Sequence, residues 1–340
     1  MAAITSQAPI LFVSGKAAPV VDSARQLLDK EPLVLNKASA DQQTASLVYT
    51  GDHKDKPNFD SQLYFSRLQT QKLGCVLLSA AQLPSTQTLL QENAVRIPDG
   101  AVCVADKQVS GKGRGQNVWE SPPGCLMFSL STRLALPGER LPFLQYVMSL
   151  AIVQAMRGAA QEQLQGEDID VRIKWPNDIY SGGLKLGGIL CHSTYRDKAF
   201  HCTVGVGLNI SNATPTTCLN TLIAAKRGQQ GDQAQQSAVR REEVLAGIMN
   251  RLEVLLDVLS RDGFGPLEDE YTSLWLHTKQ EVSLEEPSDM GMQHISLTVQ
   301  GLTSRGYLLA VDADGKQFEL HPDGNSFDFF KGLVRRKVTL

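Results

Sequence analysis

Ile169-Asp-Val-Arg-Ile-Lys-Trp-Pro-Asn-Asp-Ile-Tyr-Ser-Gly-Gly-Leu-Lys-Leu-Gly-Gly-Ile-Leu190 is the stretch of sequence on which the fold turns. Ile169, Val171, Ile173 and Trp175 alternate with Asp170, Arg172 and Lys174, the period of two that gives a half-buried strand one apolar face. Gly182-Gly183 can then take the positive φ of a tight hairpin turn, which predicts antiparallel pairing of residues 179–181 with 184–190. Such a hairpin brings Asp178 and Lys185 to one face, either as a surface ion pair or as part of a site. Gly187 and Gly188 weaken a strand by giving it nothing to pack, which is explained if another group lies against the backbone there.

Working outward, residues 10–13 and the helix-forming run from Pro19 to Leu28 predict a small α/β lobe at the N-terminus. The charged, proline-containing residues 52–60 read as a linker. Apolar runs at 75–78 and 101–105 predict buried strands leading into polar loops, the first at Pro84 to Gln87. Leu144, Val147, Met148, Ala151, Met156 and Ala160 recur at helical spacing, as do Val244, Leu245, Ile248, Leu252, Leu255 and Leu259, so two long core helices are expected. Residues 200–208 give another strand, and the Gln-rich residues 214–237 read as a surface excursion. Beyond residue 279, short alternating segments separated by Asp314-Gly315 and Asp323-Gly324 predict a small β-barrel.

Composition narrows the function. The 340 residues are 42% hydrophobic, enough for about two domains with sizeable cores. The 33 Lys+Arg against 36 Asp+Glu leave a net charge of −3, without the basic surplus of a protein that grips nucleic acid. No apolar run is long enough to span a bilayer. Six cysteines without a CxxC pair or a histidine cluster read as reduced, mostly buried thiols in a cytoplasmic protein rather than metal ligands. The first residues lack the pattern of a signal or transit peptide, so an organelle form (chloroplast or mitochondrial) is expected only with a longer N-terminus.

Two further clusters carry chemistry. Gly111-Lys112-Gly113-Arg114-Gly115 alternates glycine with cations: glycine lets the backbone approach an anion and the cations neutralise it, although basic glycine-rich surface loops are also common. It fits neither GxxxxGK[ST] nor GxGxxG. Val204 to Asn209 resembles the glycine-rich end of the hairpin strand.

In this order the clusters resemble biotin–protein ligases of the eukaryotic holocarboxylase synthetase type, over roughly residues 60–340. Ser85-Thr86-Gln87, Gln108 with Gly111 to Trp119, Ser121-Pro122-Pro123-Gly124, Lys174 to Asp178, Lys185 to Leu190, Gly205 to Asn209 and the tail Pro322 to Phe327 carry the resemblance. Lys112 stands where bacterial members have the first arginine of GRGRxGR, and Gln116-Asn117 replace the later Gly-Arg; lysine keeps the charge but not the bidentate fork.

The resemblance implies an α+β catalytic domain with a mixed sheet (71–278), an SH3-like barrel (279–340) and an N-terminal extension (1–70). It implies activation of biotin by ATP, with Mg²⁺ on the phosphates, and transfer to a lysine of biotin carboxyl-carrier domains of carboxylases such as acetyl-CoA carboxylase. It assigns Lys185, Asp178 and Arg114 to catalysis. To the ligands it assigns Ser85, Thr86, Gln87, Gln108, Gly111, Lys112, Gly113, Arg114, Gly115, Trp119, Lys174, Asn177, Lys185, Gly188, Gly207 and Asn209. The N-terminal residues show no helix-turn-helix pattern, so DNA and membrane are not expected partners. A lipoate or octanoate ligase or transferase of the same superfamily, or a biotin-binding module without turnover, is the competing reading.

Overall fold

The computed structural model describes residues 9–35, 43–49, 56–115, 117–212, 214–228, 238–288, 291–322, 325–328 and 333–336. Its centre is a ten-stranded mixed sheet in the order β2-β3-β1-β4-β5-β8-β12-β11-β10-β9. In chain order these are β1 (Ile10–Gly15), β2 (Leu33–Val34), β3 (Thr44–Val48), β4 (Val76–Leu83), β5 (Val102–Gln108), β8 (Cys125–Leu134), β9 (Arg172–Lys174), β10 (Asp178–Ser181), β11 (Leu184–Arg196) and β12 (Ala199–Asn209). A separate two-stranded piece, β6 (Gly111–Lys112) with β7 (Val118–Trp119), stands where a glycine-dense loop was expected.

The Gly182-Gly183 turn forms as predicted, both glycines at positive φ, and joins β10 to β11 antiparallel. Strand alternation sorts the sheet's two faces. Val204, Val206 and Leu208 of β12 join the core beneath α4 (Leu144–Gln163) and α6 (Arg241–Asp262), the two long helices expected. Gly205 and Gly207 between them face the other way, so the face opposite the helices is left shallow. Each large apolar side chain that α4 itself buries, such as Leu150, Ile152 or Met156, contributes about 1.5–3 kcal/mol. Gly263, at φ 84, ends α6 where the sequence predicts.

Four helices were not expected. Ser85 does not sit in a plain loop: its Oγ accepts from Thr88 N at 3.3 Å and caps α3 (Thr86–Glu92). Asp60, the last residue of the segment read as a linker, caps α2 (Ser61–Arg67) through Gln62 N and Leu63 N; residues 52–55 of that segment lie outside the described ones. Within the polar excursion, α5 (Leu219–Arg227) buries Leu219 and Ile223; residues 229–237 lie outside the described ones. The fourth, α7 (Gly265–Leu274), follows α6 directly after Gly263 and Phe264 and is started by Pro266.

The expected boundary near residue 70 is crossed by the sheet. β1 pairs antiparallel with β4, and α1 (Ala18–Leu28) packs with α3 and one face of β4 and β5 in a shared core. After α7, β13 (Glu281–Ser288), β14 (Gly291–Leu302), β15 (Leu308–Val311) and β16 (Gln317–Leu320) form a meander, and β17 (Asn325–Asp328) and β18 (Leu333–Arg336) complete a six-stranded sheet through a parallel β13–β18 pair. This fits the small SH3-like domain expected; the Asp323-Gly324 turn lies outside the described residues.

Candidate active site

On the shallow face a cavity of about 550 Å³ opens beneath α3 and the β6–β7 hairpin. Strand register builds its floor. One row runs Ser129 on β8, Gly205 on β12 and Leu190 on β11; the next runs Met127, Gly207, Gly188 and Asp178 on β10. Rows two residues apart are separated by roughly 7 Å. Three of the positions on this floor are glycine, and each lets a side chain from elsewhere reach the backbone: a Cβ on Gly205 would lie 2.4 Å from Gln87 Oε1, one on Gly207 2.3 Å from the Trp119 ring, one on Gly188 3.2 Å from Asp178 Oδ1.

The first row carries neutral hydrogen-bonding groups. Gln87, buried at the start of α3, donates from Nε2 to Leu190 O (3.3 Å) and Thr203 O (3.2 Å), and its Oε1 accepts from Ser129 Oγ (3.2 Å). Thr86 donates from its backbone N (2.8 Å) and Oγ1 (3.1 Å) to Gln108 Oε1, and its Oγ1 lies 2.9 Å from Ser129 Oγ. The second row carries charge. Lys185 Nζ is 2.7 Å from Asp178 Oδ1, and Arg114 Nη1 donates to Asn177 Oδ1 at 3.1 Å, while Asn177 Nδ2 donates to Ile189 O at 2.9 Å. Two hydrogen bonds to the Lys185 carbonyl, from Thr216 Oγ1 (2.6 Å) and Asn209 Nδ2 (3.4 Å), fix the backbone that bears the ammonium.

Of the residues expected here, Ser85, Thr86, Gln87, Gln108, Lys112, Gly113, Arg114, Trp119, Asn177, Asp178, Lys185, Gly188, Gly207 and Asn209 line the cavity. Gly111, Gly115 and Lys174 do not. Gly111 faces the Trp119 backbone across the hairpin, and Gly115, at φ 63, has open space around it. Lys174 is the strand-register partner of Asp178 on β9, at the far end of the charged row, its ammonium 5.3 Å from the centroid of the Tyr180 ring. Ser129, Gly205 and Thr216 were missed: Ser129 sits in a run of apolar strand residues, and only register brings it under Gln87.

Cys125 lies near the floor, its Sγ 3.2 Å from Leu208 O; burial pushes its thiol up to about 12, which makes it a packing residue rather than a nucleophile. All six cysteines are free thiols, and Cys191 is exposed rather than buried like the other five. The described residues contain no group of three or more His, Cys, Asp or Glu able to hold a metal, and no described helix is long and apolar enough to cross a membrane.

Residues 79–209, which contain most of this floor, match the model of the biotin/lipoate A/B protein ligase family. Biotin–protein ligase 1, chloroplastic, of Arabidopsis thaliana is 42% identical over 334 residues, which cover 96% of this chain and 88% of the relative. The biotin–protein ligase of Homo sapiens is 36% identical over 82% of this chain and 38% of its own length. Among solved structures, the Aquifex aeolicus biotin protein ligase in complex with biotin and ATP is alike in fold, with a TM-score of 0.52 at 23% identity over 74% of this chain and 96% of that one.

Proposed function

The chain belongs to the biotin–protein ligase family, and from that premise we propose how its cavity works. The enzyme forms a carbon–nitrogen bond in two steps. Biotin's carboxylate attacks the α-phosphorus of ATP and expels pyrophosphate, giving biotinyl-5′-AMP. The amine of a lysine on a biotin carboxyl-carrier domain then attacks the acyl carbon, AMP leaves, and the amine's proton passes to the surroundings.

The observation that carries this assignment is the pair of rows on the cavity floor. Biotin has a neutral ureido ring at one end and a carboxylate at the other, joined by a flexible chain. The neutral row of Thr86, Gln87, Gln108 and Ser129 suits the ureido donors and carbonyl, all of which need partners once buried. The charged row suits the carboxylate and the α-phosphate, two anions that repel unless cations hold them together. Trp119, laid over Gly207, supplies an apolar wall between them. Lys112, Gly113 and Asn209 complete the nucleotide side, and Ser85 serves by capping α3.

Mg²⁺ bound on the ATP phosphates would supply charge neutralisation. Asp178 and Glu120 are the carboxylates lining the cavity, a donor set that suits an ion held largely by phosphate and water. The acceptors are carrier domains of biotin-dependent carboxylases, and the free thiols suit a reducing compartment such as the cytoplasm.

ATP–pyrophosphate exchange with biotin or lipoate offered separately, followed by transfer of labelled biotin to a carrier domain, tests the assignment. Biotin is expected to support both steps. Exchange with lipoate alone would place the chain with the lipoate ligases, and binding without exchange would leave only a biotin-binding module.

Lys112 is exposed on β6 at the cavity's rim. Lys112→Ala is expected to preserve adenylate formation better than adenylate retention, with release faster by roughly 10–100-fold if a charge-assisted hydrogen bond of about 1.5–3 kcal/mol is lost. Filter-trapping of labelled biotinyl-AMP measures this; release at the wild-type rate would make Lys112 a solvated surface residue.

A further inference from the structure

His277 is fully buried, far along the chain from every motif that lines the cavity. The segment that carries it runs beside β9 at the edge of the large sheet: Trp275 forms a parallel bridge with Ile173, and Leu276 N donates to Ile173 O at 2.9 Å. One step further the backbone ladder stops. In its place Trp175 N donates to His277 Nε2 at 2.9 Å. The ring's Nδ1 lies 2.8 Å from Gln280 Oε1, so with Nε2 accepting, Nδ1 carries the proton and donates to the amide. Gln280 O in turn accepts from Val299 N on β14 at 2.9 Å.

We propose that His277 is a positioning residue for the ligase reaction: its Nε2 fixes the backbone of Trp175 at the point where β9 turns into Asn177 and Asp178, and so sets the charged row of the cavity from the C-terminal sheet. A continuous path supports this. It runs from β14 through Gln280 and His277 to Trp175, then over Pro176 to Asn177, which holds Arg114, and to Asp178, which holds Lys185. Pro176 has no N–H, so the Trp175 amide is the last backbone donor before Asn177. A second tether acts on the same residue: Trp175 Nε1 donates to Tyr146 OH at 2.7 Å, and that hydroxyl donates to Gly306 O in the turn between β14 and β15. Burial, the largest influence, lowers the His277 pKa to about 4, so at neutral pH the ring is uncharged and Nε2 is free to accept.

The role rests on the assignment of the cavity as the ligase site, and two readouts separate them. Amide hydrogen exchange follows the Trp175 and Asn177 N–H groups without any need for turnover; biotin-dependent ATP–pyrophosphate exchange follows the chemistry. His277→Gln keeps an acceptor close to the Nε2 position, whereas His277→Asn and His277→Phe do not. The Asn and Phe variants are expected to speed exchange of the Trp175 amide and to lower kcat by about tenfold or more, with the biotin KM changed far less; His277→Gln should stay close to wild type in both. Unchanged protection at Trp175 or a Gln variant no better than Phe would each overturn the positioning role. A wild-type chain without biotin-dependent pyrophosphate exchange would instead overturn the ligase assignment, and the amide protection would still decide what His277 holds.

Discussion

Lys185→Ala is expected to cut biotinyl-adenylate formation by on the order of 100–1,000-fold while transfer from chemically supplied biotinyl-AMP to a carrier domain stays within a few-fold of wild type. The asymmetry follows from where negative charge builds up. In the first step a carboxylate closes on a phosphate, and an ammonium that can bridge them is most valuable in the transition state. Lys185 is placed for this, its carbonyl pinned by Thr216 and Asn209 and its Nζ beside Asp178. In the second step the electrophile is already formed, and the anion to be stabilised is smaller.

Asp178 tests the division of labour. If it holds the incoming lysine ammonium, whose reference pKa is about 10.4, and takes or relays its proton, Asp178→Asn will form adenylate well and transfer it slowly, with the defect easing as pH rises. If it serves chiefly to orient Lys185, adenylate formation will fall together with Lys185→Ala. The 2.7 Å contact between the two groups makes the second outcome a strong competitor. Single-turnover measurement of each half-reaction separates the two.

The hairpin was legible because its signals are local: two glycines at a turn and strict alternation before it. The same holds for α4 and α6, whose apolar stripes repeat over five turns or more. α3 was hidden because Ser85-Thr86-Gln87 favours a loop or a cap equally on composition, and what decides is the contact of Leu89 and Leu90 with the core. α5 was hidden by its glutamine-rich surroundings, since Leu219 and Ile223 make too short a stripe to stand out. In the site, charged and glycine residues announced themselves one by one, but their distances could not. Whether Gly111 or Gly205 meets the cavity depends on strand register, which no single segment encodes. Lys174 illustrates the converse: it has the right charge in the right motif, and the strand pairing carries it one position too far along the row.

Register also identifies the glycine whose substitution should cost most in biotin binding. Gly205→Ala is expected to raise the biotin KM by about 10–100-fold with a smaller change in kcat. The added Cβ would lie 2.4 Å from Gln87 Oε1 and 3.1 Å from its Cδ. An exposed side-chain amide would swing aside at little cost, but Gln87 is 4% exposed and held by Leu190 O, Thr203 O and Ser129. Moving it breaks two or three buried hydrogen bonds at about 1–3 kcal/mol for each group left unpaired. The same move displaces the amide proposed to meet the ureido ring. The charged row, one register step away at Gly188 and Asp178, keeps its geometry, which is why kcat should suffer less. A double substitution checks the cause. On a Gln87→Ala background there is no amide for the new methyl to strike, so Gly205→Ala should add less than threefold to the biotin KM, as two changes acting through one group must. Should the methyl cost the same in both backgrounds, it acts on biotin directly or on the strand itself, and Gln87 is not the group that Gly205 makes room for.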